Sequence, residues 1–136
     1  MAHTDLDSQE MLLSGLYNQM RKILDSSGQP VFIYLDDYHK VCNQRFADFL
    51  GYKSPQDWSK IPGFLEVFVD EPSRNAFMSA YWSAVNNMNA STIQVTWKRS
   101  DKTKVESTMI LLPMAFEGHI ISVNFVTTQN NRSVAE

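Results

Sequence analysis

Ser91 to Thr128 reads STIQVTWKRSDKTKVESTMILLPMAFEGHIISVNFVTT, and its period of two decides the fold. Three long runs, Ser91 to Arg99, Lys104 to Phe116 and His119 to Thr128, carry the alternation expected of half-buried strands. Ser100-Asp101-Lys102-Thr103 joins the first pair and Glu117-Gly118 the second, both short enough to make antiparallel neighbours. Upstream, Pro30 to Leu35 (PVFIYL) is rich in β-branched and aromatic residues and stops at Asp36-Asp37, which predicts a strand and a turn. A return strand follows around Lys40 to Asn43. An isolated hairpin is marginal in water, so the two early strands and the three late ones must share a sheet. The prediction is an α+β domain with a five-stranded antiparallel sheet, helices packed on one face and an N-terminal flanking helix.

The helices are marked by caps and spacing. Asp7 and Glu10 stand at the separation of a capping box, so a helix is expected to begin there. Leu13, Leu16, Tyr17, Met20, Ile23 and Leu24 then recur at three- and four-residue intervals until Ser27-Gly28, a left-handed stop. Asn43 caps a short helix closed by Gly51, for which loss of the cap in Asn43→Ala should cost about 1 kcal/mol. Ser54-Pro55 opens another helix, with Asp57 completing its box, and Ile61-Pro62-Gly63 breaks the chain before Phe64 to Phe68. Asp70-Glu71-Pro72 begins the longest internal helix, with Phe77, Ala80, Tyr81, Ala84, Val85 and Met88 at helical spacing. The expected organisation is an N-terminal amphipathic cap or dimerisation helix over 1–25, one domain over 26–128 and a polar tail over 129–136.

Composition narrows the function. A chain of 136 residues, 43% of them hydrophobic, makes one core without covalent staples. Its 12 basic and 15 acidic residues leave a formal charge of −3, and the densest basic cluster, Lys98, Arg99, Lys102 and Lys104, is interrupted by Asp101, so no nucleic-acid partner is expected. Cys42, the only cysteine, can form no internal disulfide and reads as a core thiol, which suits a cytoplasmic location. No segment has the roughly 18 consecutive apolar residues of a membrane span. There is no Gly-rich phosphate loop and no Gly-x-Ser-x-Gly elbow, while Asp36-Asp37 and Asp70-Glu71 fall at a turn and a helix start, so the chain does not read as an enzyme.

The segment Asn43-Gln44-Arg45-Phe46-Ala47-Asp48-Phe49-Leu50-Gly51-Tyr52 resembles the PAS family's passage from second strand into first helix. Lys98-Arg99-Ser100-Asp101-Lys102-Thr103 is similar to the family's hairpin between the third and fourth strands, with Lys102 where most members carry Gly, and Thr127-Thr128-Gln129 replaces the usual terminal Asp-Ile-Thr. The resemblance covers about Leu24 to Thr128 and implies a sensory module. Photoactive flavin members carry a cysteine in the short helices, and Trp58 to Phe68 has none; haem-binding members offer a histidine from the long helix, and Asp70 to Asn89 has none. His39 and His119, at hairpin turns, read as solvent-facing, and no cluster supplies a metal's converging ligands.

Alternation leaves open which row faces the helices. Ile93, Val95 and Trp97 form one row of the third strand, and Ile121, Val123 and Phe125 one row of the fifth, with Ile110 and Leu112 between them. The usual rule turns such a row to the core. The resemblance implies instead that Ser107, Met109 and Leu111, with Thr96, Asn124 and Val126, look inward and with Phe77 and Tyr81 line a ligand cavity. The apolar row, Trp97, Ile121, Val123 and Phe125 included, would then be covered by Leu13, Leu16, Tyr17 and Met20 of the N-terminal helix and by a second copy.

The sequence therefore predicts a PAS-type sensory domain with a small ligand in an internal cavity, signalling through homodimer contacts or an effector or kinase in trans. A ligand-free dimerisation module with a filled core is the alternative. The purified protein is expected to be colourless, without haem, flavin or metal; a stoichiometric visible absorption band is the contrary result.

Overall fold

The computed structural model describes residues 2–128, with side chains from Glu10 to Thr127. Helix α1 spans Ala2–Ser26. It already includes Asp7, so the expected capping box lies inside the helix and does not start it; neither Gly nor Pro interrupts the chain between Ala2 and Ser14. Strands β1 (Val31–Asp36) and β2 (His39–Cys42) are followed by the short helices α2 (Gln44–Leu50), α3 (Pro55–Ser59) and α4 (Phe64–Phe68). A 3₁₀ turn at Glu71–Ser73 leads into α5 (Arg74–Asn87), and β3 (Ser91–Lys98), β4 (Lys104–Phe116) and β5 (His119–Thr128) complete the chain. The five strands form one antiparallel sheet in the order β2-β1-β5-β4-β3. The expected tail over 129–136 lies outside the described residues.

Register decides which face each strand shows to the helices. Val95 pairs with Ser107 and Trp97 with Val105, while Met109 pairs with Val126 and Leu111 with Asn124. One inner face therefore carries Val95, Trp97, Ser107, Met109, Leu111, Asn124 and Val126. Two expectations fail here. Trp97 is fully buried among the inner aromatics and forms no part of the outer face, and Thr96, paired with Glu106, is on the outer face. Ile93 and Val95 turn inward with Trp97. Alternation fixes the two rows of a strand but not their phase against the neighbour, which the hairpin sets. Lys98 pairs with Lys104 across the loop 99–103, where Lys102 takes the left-handed conformation (φ 76°) that its place usually reserves for Gly.

Rings fill the inner face. Phe32 lies 4.7 Å from Phe46 and 5.8 Å from Trp97, and Phe46 meets Trp58 edge-on at 5.2 Å, all between centroids. Such pairs contribute roughly 0.5–1.5 kcal/mol each beyond the area they bury. The outer face is covered in part by α1, whose Leu16, Met20 and Leu24 pack on Val31, Ile33, Ile121 and Val123, with Leu13, Tyr17 and Phe125 at the margin. Ile110 and Leu112 of β4 stay exposed at 38% and 36%, so the open apolar strip is far smaller than a row containing Trp97 and Val95.

Asn43 ties these layers together. Its Oδ1 accepts from the amides of Phe46 and Val31, both at 3.0 Å, and its Nδ2 donates to the carbonyls of Leu24 (3.1 Å) and Gln29 (2.9 Å). The residue does more than cap α2: it fastens the end of α1 to the start of β1. Asn43→Ala is expected to cost about 3 kcal/mol in denaturant unfolding, because it leaves several buried backbone groups without partners. Asn43→Asp, which keeps both accepted bonds, should fall between; a loss near 1 kcal/mol for Asn43→Ala would reduce the residue to a cap.

Candidate functional site

The inner cavity expected from the sequence is occupied by the protein's own side chains. Ser107 Oγ accepts from Trp97 Nε1 at 2.8 Å, so the indole answers the serine. Asn124 Nδ2 donates to the carbonyl of Phe32 (3.2 Å) and to Ser122 Oγ (3.1 Å), while Met109, Leu111 and Val126 are fully buried against the rings. Two buried polar atoms among the described residues have no partner, Asn124 Oδ1 and Trp58 Nε1. Thr96 points away from this region, and its amide donates to Ser73 Oγ at 2.9 Å.

Space opens at the rim, between α4, α5 and the end of β1. A cleft of about 240 Å³ is lined there by Tyr34, Asp37, Phe64, Phe77 and Tyr81, with Leu65, Glu66 and Met78 at its mouth. Phe77 and Tyr81 were anticipated; the other residues were not. The signal for Tyr34 was the alternation of PVFIYL, which places it on the same face as Phe32. Asp37, read as a turn acid, accepts through Oδ1 from the Tyr34 hydroxyl at 2.7 Å and from the Phe64 amide at 3.3 Å, and so joins the β1–β2 turn to α4. The Tyr81 hydroxyl reaches the Leu35 carbonyl at 3.4 Å.

A buried lysine holds the turn from behind. Lys40 is 1% exposed, and its ammonium donates to the carbonyls of Asp37 (2.6 Å), Ile61 (2.6 Å) and Ser59 (3.3 Å) beside the Trp58 ring. Burial lowers its pKa, against the opposing pull of Asp37 and Asp36. His39 corrects another expectation: it is buried, with Nδ1 2.8 Å from Asp36 Oδ1, because the tight turn draws it into the strand pairing opposite Asp36. His119 is exposed. Cys42 is a buried core thiol whose pKa burial pushes up. Among the described residues no group of three His, Cys, Asp or Glu is placed to hold a metal, and no helix is long and apolar enough to cross a membrane.

Burial, then the hydrogen bond to Asp37, raises the Tyr34 phenol above its ordinary 10.0, and burial followed by the charge of Asp36 raises Tyr81. An acid whose pKa is higher in the folded chain is held neutral by the fold, so its contribution is complete below pH 10 and declines as pH rises through 10 toward the folded value. Stability is therefore expected to fall from about pH 10 upward, and less steeply in Tyr34→Phe. Denaturant midpoints read alongside tyrosinate absorbance check this; equal slopes in both proteins would contradict it.

No family model matches the chain, and no curated protein matches it in sequence. Solved structures do. The Rhodobacter sphaeroides LOV protein is similar over 90% of this chain and 73% of its own, at 15% identity and TM-score 0.65. A PAS domain from Colwellia psychrerythraea is similar over 83% of this chain and 96% of its own, at 16% identity and TM-score 0.64. VqmA bound to DPO is similar over 86% of this chain and 59% of its own, at 9% identity and TM-score 0.64. At such identities the likeness concerns the fold, and it meets the strand order, the helical layer and the Asn43 turn from independent directions: the chain has the PAS fold, with an N-terminal helix laid across the far side of its sheet.

Proposed function

We propose that this chain is a sensory and regulatory PAS domain, not an enzyme, that receives a compact ligand in the α4–α5 cleft and passes the signal through contacts with a second copy or with an effector or kinase in trans. The observation that carries the reading is the two-sided role of β1. Tyr34 lines the cleft, while its neighbours Ile33 and Leu35 pack in the cluster beneath α1. A ligand pressing on Tyr34 or Tyr81 thus acts on the strand that seats the N-terminal helix, in one step and without crossing the packed core.

The alternative, a ligand-free dimerisation module, draws its support from the filled inner face, where Trp97 and Ser107 satisfy one another. Both readings place a second copy on the outer face. There Ile110 and Leu112 stand beside the polar pair of Gln94 and Thr108, whose side chains bond at 2.9 Å, an apolar strip with a polar border suited to self-association.

Native mass spectrometry of the purified protein is expected to give twice the chain mass plus a small copurifying molecule, and Ile110→Lys/Leu112→Lys is expected to give the single chain mass with an unchanged melting temperature. A dimer without added mass, even after incubation with metabolite extracts, favours the alternative. A wild-type chain that stays monomeric up to the concentrations of the spectrometric and scattering measurements refutes the dimer.

A further inference from the structure

The cleft also restricts the chemistry of what it can hold, an inference that rests on its reading as the ligand site. Its side-chain hydrogen-bond donors already have protein partners. Tyr34 gives its hydroxyl hydrogen to Asp37, Tyr81 turns its own to the Leu35 carbonyl, and the Phe64 amide points at Asp37 Oδ1. What the polar side chains of the lining have left is acceptors: the phenol lone pairs, the second oxygen of Asp37 and the carboxylate of Glu66.

No basic side chain lines this space. The nearby cations are turned to backbone: Lys40 to the carbonyls of Asp37, Ser59 and Ile61, Lys98 to that of Glu66, and Arg74 to those of Val69 and Glu66. The walls are aromatic, with Tyr34 5.0 Å from Phe64 and 5.4 Å from Tyr81, and Phe64 5.4 Å from Phe77 between centroids. Ring faces are electron-rich and attract a cation held over them. Neighbouring carboxylate charge also helps to keep both phenols protonated, which reports a negative potential at the same place.

We propose that the α4–α5 cleft selects a small organic cation bearing N–H donors, an alkylammonium or similar amine, whose charge lies between Asp37 and Glu66 and whose carbon chain lies on the rings of Phe64, Phe77 and Tyr81. An anion meets two carboxylates there, and a neutral acceptor finds no side-chain donor without a partner, so both are disfavoured by the same side chains.

The test is a titration of ¹⁵N-labelled protein with n-butylammonium, n-butanol and butyrate at matched ionic strength. Butylammonium is expected to give saturable shifts at the amides of Phe64, Phe77 and Tyr81, with n-butanol and butyrate binding at least about tenfold more weakly. Glu66→Gln should weaken butylammonium severalfold with its melting temperature unchanged. Asp37→Asn should weaken it too; because Asp37 also holds Tyr34 and Phe64, Met78→Lys serves as a second variant, placing a tethered ammonium at the exposed mouth to compete with the ligand. Equal affinity for n-butanol or butyrate at these amides, or butylammonium binding unaltered in both Glu66→Gln and Met78→Lys, overturns the cation assignment and leaves the cleft as a ligand site. No saturable shift there with any of the three probes overturns the cleft reading as well.

Discussion

Four hydrogen bonds to one buried carboxamide fix how the layers of this domain meet. The Asn43 side chain takes the amides of Val31 and Phe46 and fills the carbonyls of Leu24 and Gln29, so the end of α1, the first residue of β1 and the first turn of α2 are set from a single point. Each of these groups sits at an element's end, where the backbone lacks its regular partner. Asn supplies an acceptor and two donors in one rigid plane, which Asp, Ser or Thr in this place cannot match. With the helix ends fixed, the stripe of Leu16, Met20 and Leu24 has only one sheet face to lie on, and α2 to α5 have the other.

Because the inner face is closed by rings, the α4–α5 cleft lies at its edge. Phe32, Phe46, Trp58, Phe64 and Trp97 are each at most 1% exposed and pack largely edge-to-face, with the buried Ser107 Oγ and Asn124 Nδ2 answered by an indole, a backbone carbonyl and a neighbouring hydroxyl. Close-packed interiors resist the insertion of new volume. The α4–α5 margin is different. There a five-residue helix capped by a left-handed Gly63 and a longer helix line the cleft together with Tyr34.

The element order was legible because each strand and helix carried its own period and its own stop signal. The inward row of β4, Ser107, Met109 and Leu111, and of β5, Asn124 and Val126, also lies on the face the family resemblance assigned to it. The phase of β3 was not legible. Thr96 and Trp97 exchange faces with a shift of one residue, and that shift is set by the loop 99–103, in which Lys102 adopts a conformation its side chain does not advertise. The cleft was hidden for a different reason. Asp37 sits in a turn and His39 directly after it, where residues are ordinarily exposed; here the Lys40 ammonium binds three carbonyls from two segments and ties the turn to the chain before α4. No local pattern reports a tie between residues so far apart in sequence.

The place where cleft and helix meet is also where the sheet is least regular. The pairing of β1 with β2 runs in register from Phe32 to Tyr34 and then shifts before Asp36, so Leu35 is the residue left over at a bulge. Its carbonyl receives the long bond from Tyr81, and its side chain packs at the margin of the α1 cluster. A bulge can bend without breaking the ladder on either side, whereas the neighbouring pairs of Ile33 with Val41 and with Val123 hold the centre of the strand on both edges. Under the proposed function, a ligand that displaces Tyr81 therefore acts on the bulged end of β1. The displacement reaches α1 through Leu35, while Phe32 and the rings around it stay in place, so the packed core serves as the fixed support against which the signal is made.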